Sequence, residues 1–173
     1  MARVQKIAPC LWFDSEAEQA ARYYTGIFKN SKMGRISHYT EAGKEVHGQR
    51  AGKVLTVDFE LEGQPFTALN GGPQFKFNEA ISLQINCENQ AEIDYYWDKL
   101  GAGGDPNAQQ CGWLKDKFGL SWQVIPAAMG QLMSDSDPAR ASRTMEALLQ
   151  MKKLDIAALE RAAEGREKVG AGR

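Results

Sequence analysis

NEAISLQINCENQAEIDYYWDKL, residues 78–100, decides how the chain is read, because it carries a strand period and then a helix period with one turn between them. Ile81, Leu83 and Ile85 alternate with Ser82, Gln84 and Asn86, an apolar face against a polar one. An earlier stretch, IAPCLWFDSEAEQAARYYTGIF (residues 7–28), has the same order, with Ile7, Leu11 and Phe13 on the apolar side and Ala8, Cys10 and Trp12 on the other. Laid over each other without a gap, Leu11 falls on Leu83, Tyr23-Tyr24 on Tyr95-Tyr96 and Phe28 on Leu100. The chain is therefore expected to repeat a strand-helix unit.

Working outward, Asp14 and Ser15 offer side-chain oxygens to a helix N-terminus, with Glu16 and Glu18 at its positive dipole end. Ala17, Ala20, Ala21, Tyr24 and Phe28 then form one stripe. The polar, glycine-bearing segment Met33–Lys53 reads as a strand with a long loop, and both histidines, His38 and His47, fall in it. From Val54 to Glu62 the alternation returns, and Gly63-Gln64-Pro65 turns the chain into a strand ending at Asn70. Gly71-Gly72-Pro73 then links to the second unit: a strand from Ala80, a helix from Gln90, and a hairpin of Gln110–Lys115 and Leu120–Pro126 closed by Asp116–Gly119. In that hairpin Trp122 answers to Phe66 and Gln123 to Thr67. Beyond Pro126, Asp137-Pro138 and Asp155 open two helices, the first carrying Met145, Leu148, Leu149 and Lys152, the second Ile156, Leu159 and Ala163; the end from Gly165 is expected to fray. The expected divisions are 1–72, 73–127 and a helical extension, 128–173, within one compact domain.

With 173 residues, 43% hydrophobic and 25% charged, the composition is that of a globular domain able to bury a core. No apolar run reaches the ~18 residues of a membrane span, and MARVQK leads straight into strand-like sequence, so a cytoplasmic location is expected. Cys10, Cys87 and Cys111 are odd in number and lack CxxC spacing, which favours reduced thiols over a disulfide framework or zinc knuckle. The net charge of −1, with Lys and Arg scattered, points away from nucleic acid and membrane as partners.

A strand-helix-three-strand unit occurring twice resembles the vicinal oxygen chelate superfamily, and PCLWFDSEAEQAARYYTGIF, FTALNGGPQFKFNEAISLQINC, YYWDKL, CGWLKDKFGLSWQVIP and MEALLQMKKLDIAAL resemble its PhnB-like branch, which carries the label 3-demethylubiquinone-9 3-methyltransferase. The resemblance implies an α+β fold of two βαβββ modules whose curled sheets enclose a cavity, with C-terminal helices. It also implies a metal held by one residue from the first and last strand of each module. Carried over singly, those positions are Ala8, Thr67 or its neighbour Ala68, Ala80 and Gln123, where the family pattern has His, Glu or Gln. Alanine has no lone pair to give, so no metal and no other cofactor is expected there.

The polar-face residues Cys10, Trp12, Thr67, Ser82, Gln84, Trp113 and Gln123 are the candidate ligand-binding set. Each has a plainer reading: Cys10 as a small hydrophobe, the tryptophans as filling, and the amides as solvated sheet polars. Trp122 has the parity of core packing, and the tyrosine pairs, which repeat with the fold, read as core and interface packing. Asn70-Gly71-Gly72 reads as a turn more readily than as an anion nest, and the two histidines as exposed loop residues. Three functions stay open: a module binding a small organic molecule, an enzyme of lyase, isomerase or dioxygenase type with displaced or no metal, and a methyltransferase. No glycine-rich strand-to-helix loop supports the last. A homodimer is the expected assembly.

Overall fold

The computed structural model describes residues 5–166. The chain divides into two units, 1–77 and 78–173.

The first unit contains β1 (Cys10–Phe13), α1 (Ala17–Ile27), β2 (Lys32–His38), a short α2 (Lys44–His47), β3 (Val54–Leu61) and β4 (Gln64–Asn70). Its sheet runs β1-β4-β3-β2, with β1 parallel to β4 and the other pairs antiparallel. Period-two alternation puts Leu11, Phe13, Val57, Phe59, Phe66 and Ala68 on one face, all buried beneath Ala20, Ala21, Tyr24 and Ile27 of α1. The alanines bring the helix close, and Tyr24 stacks over Phe59, which stacks on Phe66 at 5.2 Å between centroids. The hairpin turn needs two left-handed residues, and Glu62 (φ 47°) and Gly63 (φ 77°) supply them.

Two details depart from the sequence reading. Ile7 is 81% exposed and β1 begins only at Cys10, since Pro9 has no N–H to enter a ladder and contributes its carbonyl to the Thr67 N–H instead. Asp14 and Ser15 do not cap α1. Its first amide, Ala17 N–H, donates to Asn70 Oδ1 at 2.8 Å, so the cap comes from the end of β4.

The second unit contains β5 (Leu83–Cys87), α3 (Gln90–Gly101), β6 (Trp113–Lys115), β7 (Ser121–Pro126), α4 (Met129–Met133), α5 (Pro138–Leu149) and α6 (Ile156–Ala163). The sheet order is β5-β7-β6, with β5 parallel to β7. The unit is thus one strand short of the first among the described residues: between α3 and β6 the chain makes a single 3-10 turn at Pro106–Ala108 and one bridge, Gln110 to Trp113. Ile85, Cys87, Leu114, Trp122 and Val124 pack under Ile93, Trp97 and Leu100. Ile81 stays 69% exposed, because residues 79–81 lie outside β5 and Asn78 Oδ1 holds the Ala80 N–H there. Asn89 caps α3 through the Glu92 N–H, and Glu92 returns a bond to the Glu88 N–H, the reciprocal capping-box arrangement shifted by one residue.

The repeat is real but not gap-free. Strand pairing sets Leu11 beside Ala68 and Ile85 beside Val124, so Leu11 answers to Ile85 rather than Leu83. Helix burial equates Ala20, Tyr24 and Ile27 with Ile93, Trp97 and Leu100, so Tyr24 answers to Trp97 and not to Tyr96. The turn from β5 to α3 is one residue shorter than that from β1 to α1, which accounts for the difference between strand and helix. Tyr95, at 40% exposure, is a surface residue.

The C-terminal helices are fastened to the second unit. Asp137 and Asp155 cap α5 and α6 as their spacing predicts. Arg143 of α5 donates to the Ala162 and Ala163 carbonyls that end α6. Between the helices, Met151 and Lys152 carbonyls accept from Cys111 and Gly112 N–H at 2.8 Å, and the Gln90 amide bonds both Leu154 O and Ile156 N. Leu154 is fully buried there. The buried residue of α5 is Thr144, whereas Met145 and Leu149 are exposed and Lys152 lies past the helix end, contrary to the expected stripe. Gly165 N–H still bonds Ala162 O; the expected fraying from 167 onward falls outside the described residues.

Candidate functional site

In each unit the sheet face turned away from its helix carries the polar side chains. In the first unit Cys10, Thr67 and Asp58 stand abreast on β1, β4 and β3, and the Thr67 hydroxyl donates to Asp58 Oδ1 at 3.2 Å. On one side of that row Lys32 pairs with Glu60 at 3.1 Å. A recess of about 270 Å³ lies here, bounded by Ala8, Lys32, Gly34, Asp58, Glu60 and Thr67 among others. Gly34 sits at the β2 irregularity flat against Asp58; a Cβ there would stand 2.9 Å from the Asp58 carbonyl oxygen. Ala68, the alternative carry-over position, is fully buried on the helix side.

Trp12 is held as a wall at the other end of this face. Its indole N–H donates to Gly72 O at 2.8 Å and its ring meets Phe75 edge-on at 4.9 Å. Gly71 lies so close under the indole that a Cβ would overlap ring atoms, and its N–H bonds Phe13 O. Asn70-Gly71-Gly72 is therefore a turn shaped around Trp12, its Gly71 amide spent on the backbone.

In the second unit β7 places Gln123 between Gln84 on β5 and Trp113 on β6. Gln84 Nε2 donates to Gln123 Oε1 at 3.3 Å, and Gln123 Nε2 donates to Ser82 Oγ at 2.8 Å, so three of the expected residues form one polar row flanked by an indole. Trp122 lies on the other face, 2% exposed. Its indole N–H bonds Asp116 Oδ2 at 2.8 Å, while Asp116 Oδ1 accepts from Phe118 N and Leu120 N. Asp116 is a buried turn anchor, not a site residue.

Of the seven side chains expected to line a ligand site, Cys10, Trp12 and Thr67 lie on the polar face of the first unit and Ser82, Gln84, Trp113 and Gln123 on that of the second. Asp58, Glu60 and Lys32, beside the first group, are not among the seven, although the alternation in β3 put Asp58 and Glu60 on the polar side. His38 ends β2, exposed; His47 packs on Tyr39 at 4.6 Å and accepts from Gln49 N at Nδ1.

The metal that the fold family implies does not fit these residues. Ala8 and Ala80 carry only methyl groups, the Gln123 amide is engaged at both ends, and the Thr67 hydroxyl is given to Asp58. Among the described residues no three His, Cys, Asp or Glu side chains are grouped to hold a metal ion.

Cys10 is exposed on the sheet face, and what desolvation it has raises its thiol above the ordinary value. Cys87 is buried, and burial with the nearby Glu92 charge pushes its thiol up to about 12. A disulfide-exchange reagent at pH 8 is accordingly expected to label Cys10 in the native protein and Cys87 only in denaturant. Labelling of Cys87 at the rate of Cys10 would contradict the packing described here.

A four-stranded and a three-stranded sheet, each with one helix-covered face and one polar face, agree with the arrangement that the resemblance to the vicinal oxygen chelate class implies. The sequence profile described as 3-demethylubiquinone-9 3-methyltransferase matches residues 5–125. A solved structure described as a putative 3-demethylubiquinone-9 3-methyltransferase, PhnB protein, from Bacillus cereus is 36% identical, covering 71% of this chain and 100% of that one, with a TM-score of 0.60. Protein PA1353 from Pseudomonas aeruginosa, 18% identical over 71% of this chain and 98% of that one, shares the fold at a TM-score of 0.55. No curated protein matches the chain. The chain belongs to the 3-demethylubiquinone-9 3-methyltransferase family, in its PhnB-like branch. No helix among the described residues is long and apolar enough to cross a membrane.

Proposed function

We propose that this chain binds a small organic molecule against the polar sheet faces, without the superfamily metal and without chemistry of its own. The observation that carries the reading is the row Ser82, Gln123 and Gln84 beside Trp113. It is an ordered strip of amide and hydroxyl groups next to a flat apolar surface, the mixture by which a pocket orients a ligand. On the first unit Trp12, fixed by Gly72, offers a second flat surface beside Cys10 and Thr67. A metal-independent acid-base enzyme is the second reading, favoured by the Asp58 carboxylate that receives the Thr67 hydroxyl. A homodimer and a cytoplasmic place of action complete the proposal; a sedimentation mass of one chain at micromolar concentration would remove the dimer.

The test is a thermal-shift screen of chemically diverse organic molecules. Hits are expected to lose affinity tenfold or more in Gln123→Leu, since an unpaired ligand polar group must then be buried. They are expected to lose several-fold in Trp12→Ala or Trp113→Ala, whichever wall they use. A screen without hits, or hits indifferent to all three substitutions, would sink the reading.

A further inference from the structure

Ser121 is 1% exposed, and its hydroxyl oxygen has no hydrogen-bond partner among the described residues. A buried hydroxyl left unpaired disfavours the fold, so its presence calls for a reason. In the β6–β7 ladder Ser121 stands directly opposite Lys115, and Gln123 directly opposite Trp113. Residues paired this way, and residues two apart on one strand, share a face. Ser121, Lys115, Gln123 and Trp113 therefore form a square on the face turned away from α3, where Leu114 and Trp122 point the other way into the core.

The ammonium of this square already holds a carboxylate. Lys115 Nζ is paired with Glu79, whose side chain is 65% exposed and comes from the exposed segment ahead of β5. A pair so exposed on one side is weak and exchanges readily for another carboxylate. Because Lys115 and Ser121 are directly opposed, a ligand carboxylate that bridged them would take the ammonium on one side and a hydrogen bond from the hydroxyl on the other, a second contact that the Glu79 carboxylate does not make. The indole of Trp113 supplies a flat wall one pair further along, with the Gln123 amide beside it.

We infer that this square is a subsite for a flat organic ligand bearing a carboxylate, and that Glu79 is an internal stand-in which the ligand's carboxylate displaces. The inference rests on the ligand-binding reading above and narrows it to a chemical class and to the second unit.

The experiment is an NMR titration of the full ¹⁵N-labelled chain with sodium benzoate, with benzamide (the ring without the charge) and sodium acetate (the charge without the ring) as comparisons. Benzoate is expected to shift the main-chain amides of Lys115, Ser121 and Gln123 and to bind at least threefold more tightly than either comparison. Glu79→Gln frees the ammonium and is expected to tighten benzoate threefold or more. Ser121→Ala and Lys115→Met are each expected to weaken it fivefold or more. Ser121→Ala should leave the melting temperature unchanged or slightly raised, because the lost hydroxyl has no protein partner; a clear fall would show a hidden one and overturn the argument. Benzoate shifts elsewhere or none at all, or benzoate binding that Glu79→Gln leaves equal or weaker, would also overturn it. If screening hits depend on Gln123 yet ignore Glu79, Ser121 and Lys115, the broader function stands and this subsite falls. If no organic molecule binds at all, both fall.

Discussion

Asp116→Ala is expected to lower stability by about 3–5 kcal/mol, which corresponds to a melting temperature lower by roughly 10–15 °C for a chain of this size. The carboxylate is 2% exposed and accepts from three donors, Phe118 N, Leu120 N and Trp122 Nε1. Truncation leaves these donors facing one another across a void, and buried donors without acceptors carry the full cost of lost hydration. Backbone bonds from Asp116 N to Leu120 O and from Gly119 N to Asp116 O keep the turn shaped, so the loss falls on the side-chain contacts. Asp116→Asn separates the parts. Its amide oxygen can serve Phe118 and Leu120, but its NH₂ then meets the Trp122 N–H, donor against donor. An intermediate loss is expected, read by thermal unfolding and by Trp fluorescence. Wild-type stability in Asp116→Asn would mean that the indole bond contributes nothing.

Asn70→Ala is the second large effect, about 2–4 kcal/mol. Oδ1 caps α1 through Ala17 N at 2.8 Å and Nδ2 donates to Val54 O at 3.1 Å, tying the helix start, β3 and β4 together at one buried point. Tyr39 adds its hydroxyl to the Asn70 carbonyl at 2.6 Å, a bond the substitution leaves in place. Asn70→Asp is no rescue, because it keeps the cap but sets a carboxylate oxygen against the Val54 carbonyl. Amide hydrogen exchange gives the local reading: Ala17 should lose protection more than the centre of α1. Equal exchange at Ala17 in the variant and the parent would rule out the cap.

The sheet faces were legible because a period of two survives any local irregularity. Leu11, Phe13, Val57, Phe59, Ile85 and Val124 lie on the core side as their alternation predicts, and Trp12, Thr67, Gln84 and Gln123 lie opposite. Register was less legible. The repeated Tyr-Tyr pairs drew a gap-free alignment, whereas the burial of Trp97 and Leu100 shows that side-chain identity and helix phase had drifted apart by one residue. The cap of α1 was invisible for a different reason: Asn70 lies 53 residues from Ala17, and only the parallel β1–β4 pairing brings them together. The shortfall of a strand in the second unit belongs to the same class, since glycines at 101–104 announce a turn but not whether the chain re-enters the sheet. Ser121 and Lys115 could be paired only once the β6–β7 register was known.

The seat of α5 and α6 lies beyond the part of the chain that the family profile matches. The family profile stops at residue 125, and the Bacillus cereus relative is matched over its whole length by 71% of this chain. A chain shortened to that extent keeps Cys111 and Gly112 but has no Met151 and Lys152 carbonyls to meet their N–H groups, and its Gln90 amide loses Leu154 O and Ile156 N while keeping Asp94 Oδ1. Leu154 also leaves a socket lined by Gly112. Here the tail is part of the fold's own sealing, so that its removal from this chain strips the turn ahead of β6 of two backbone acceptors and uncovers the apolar surface beneath Leu154.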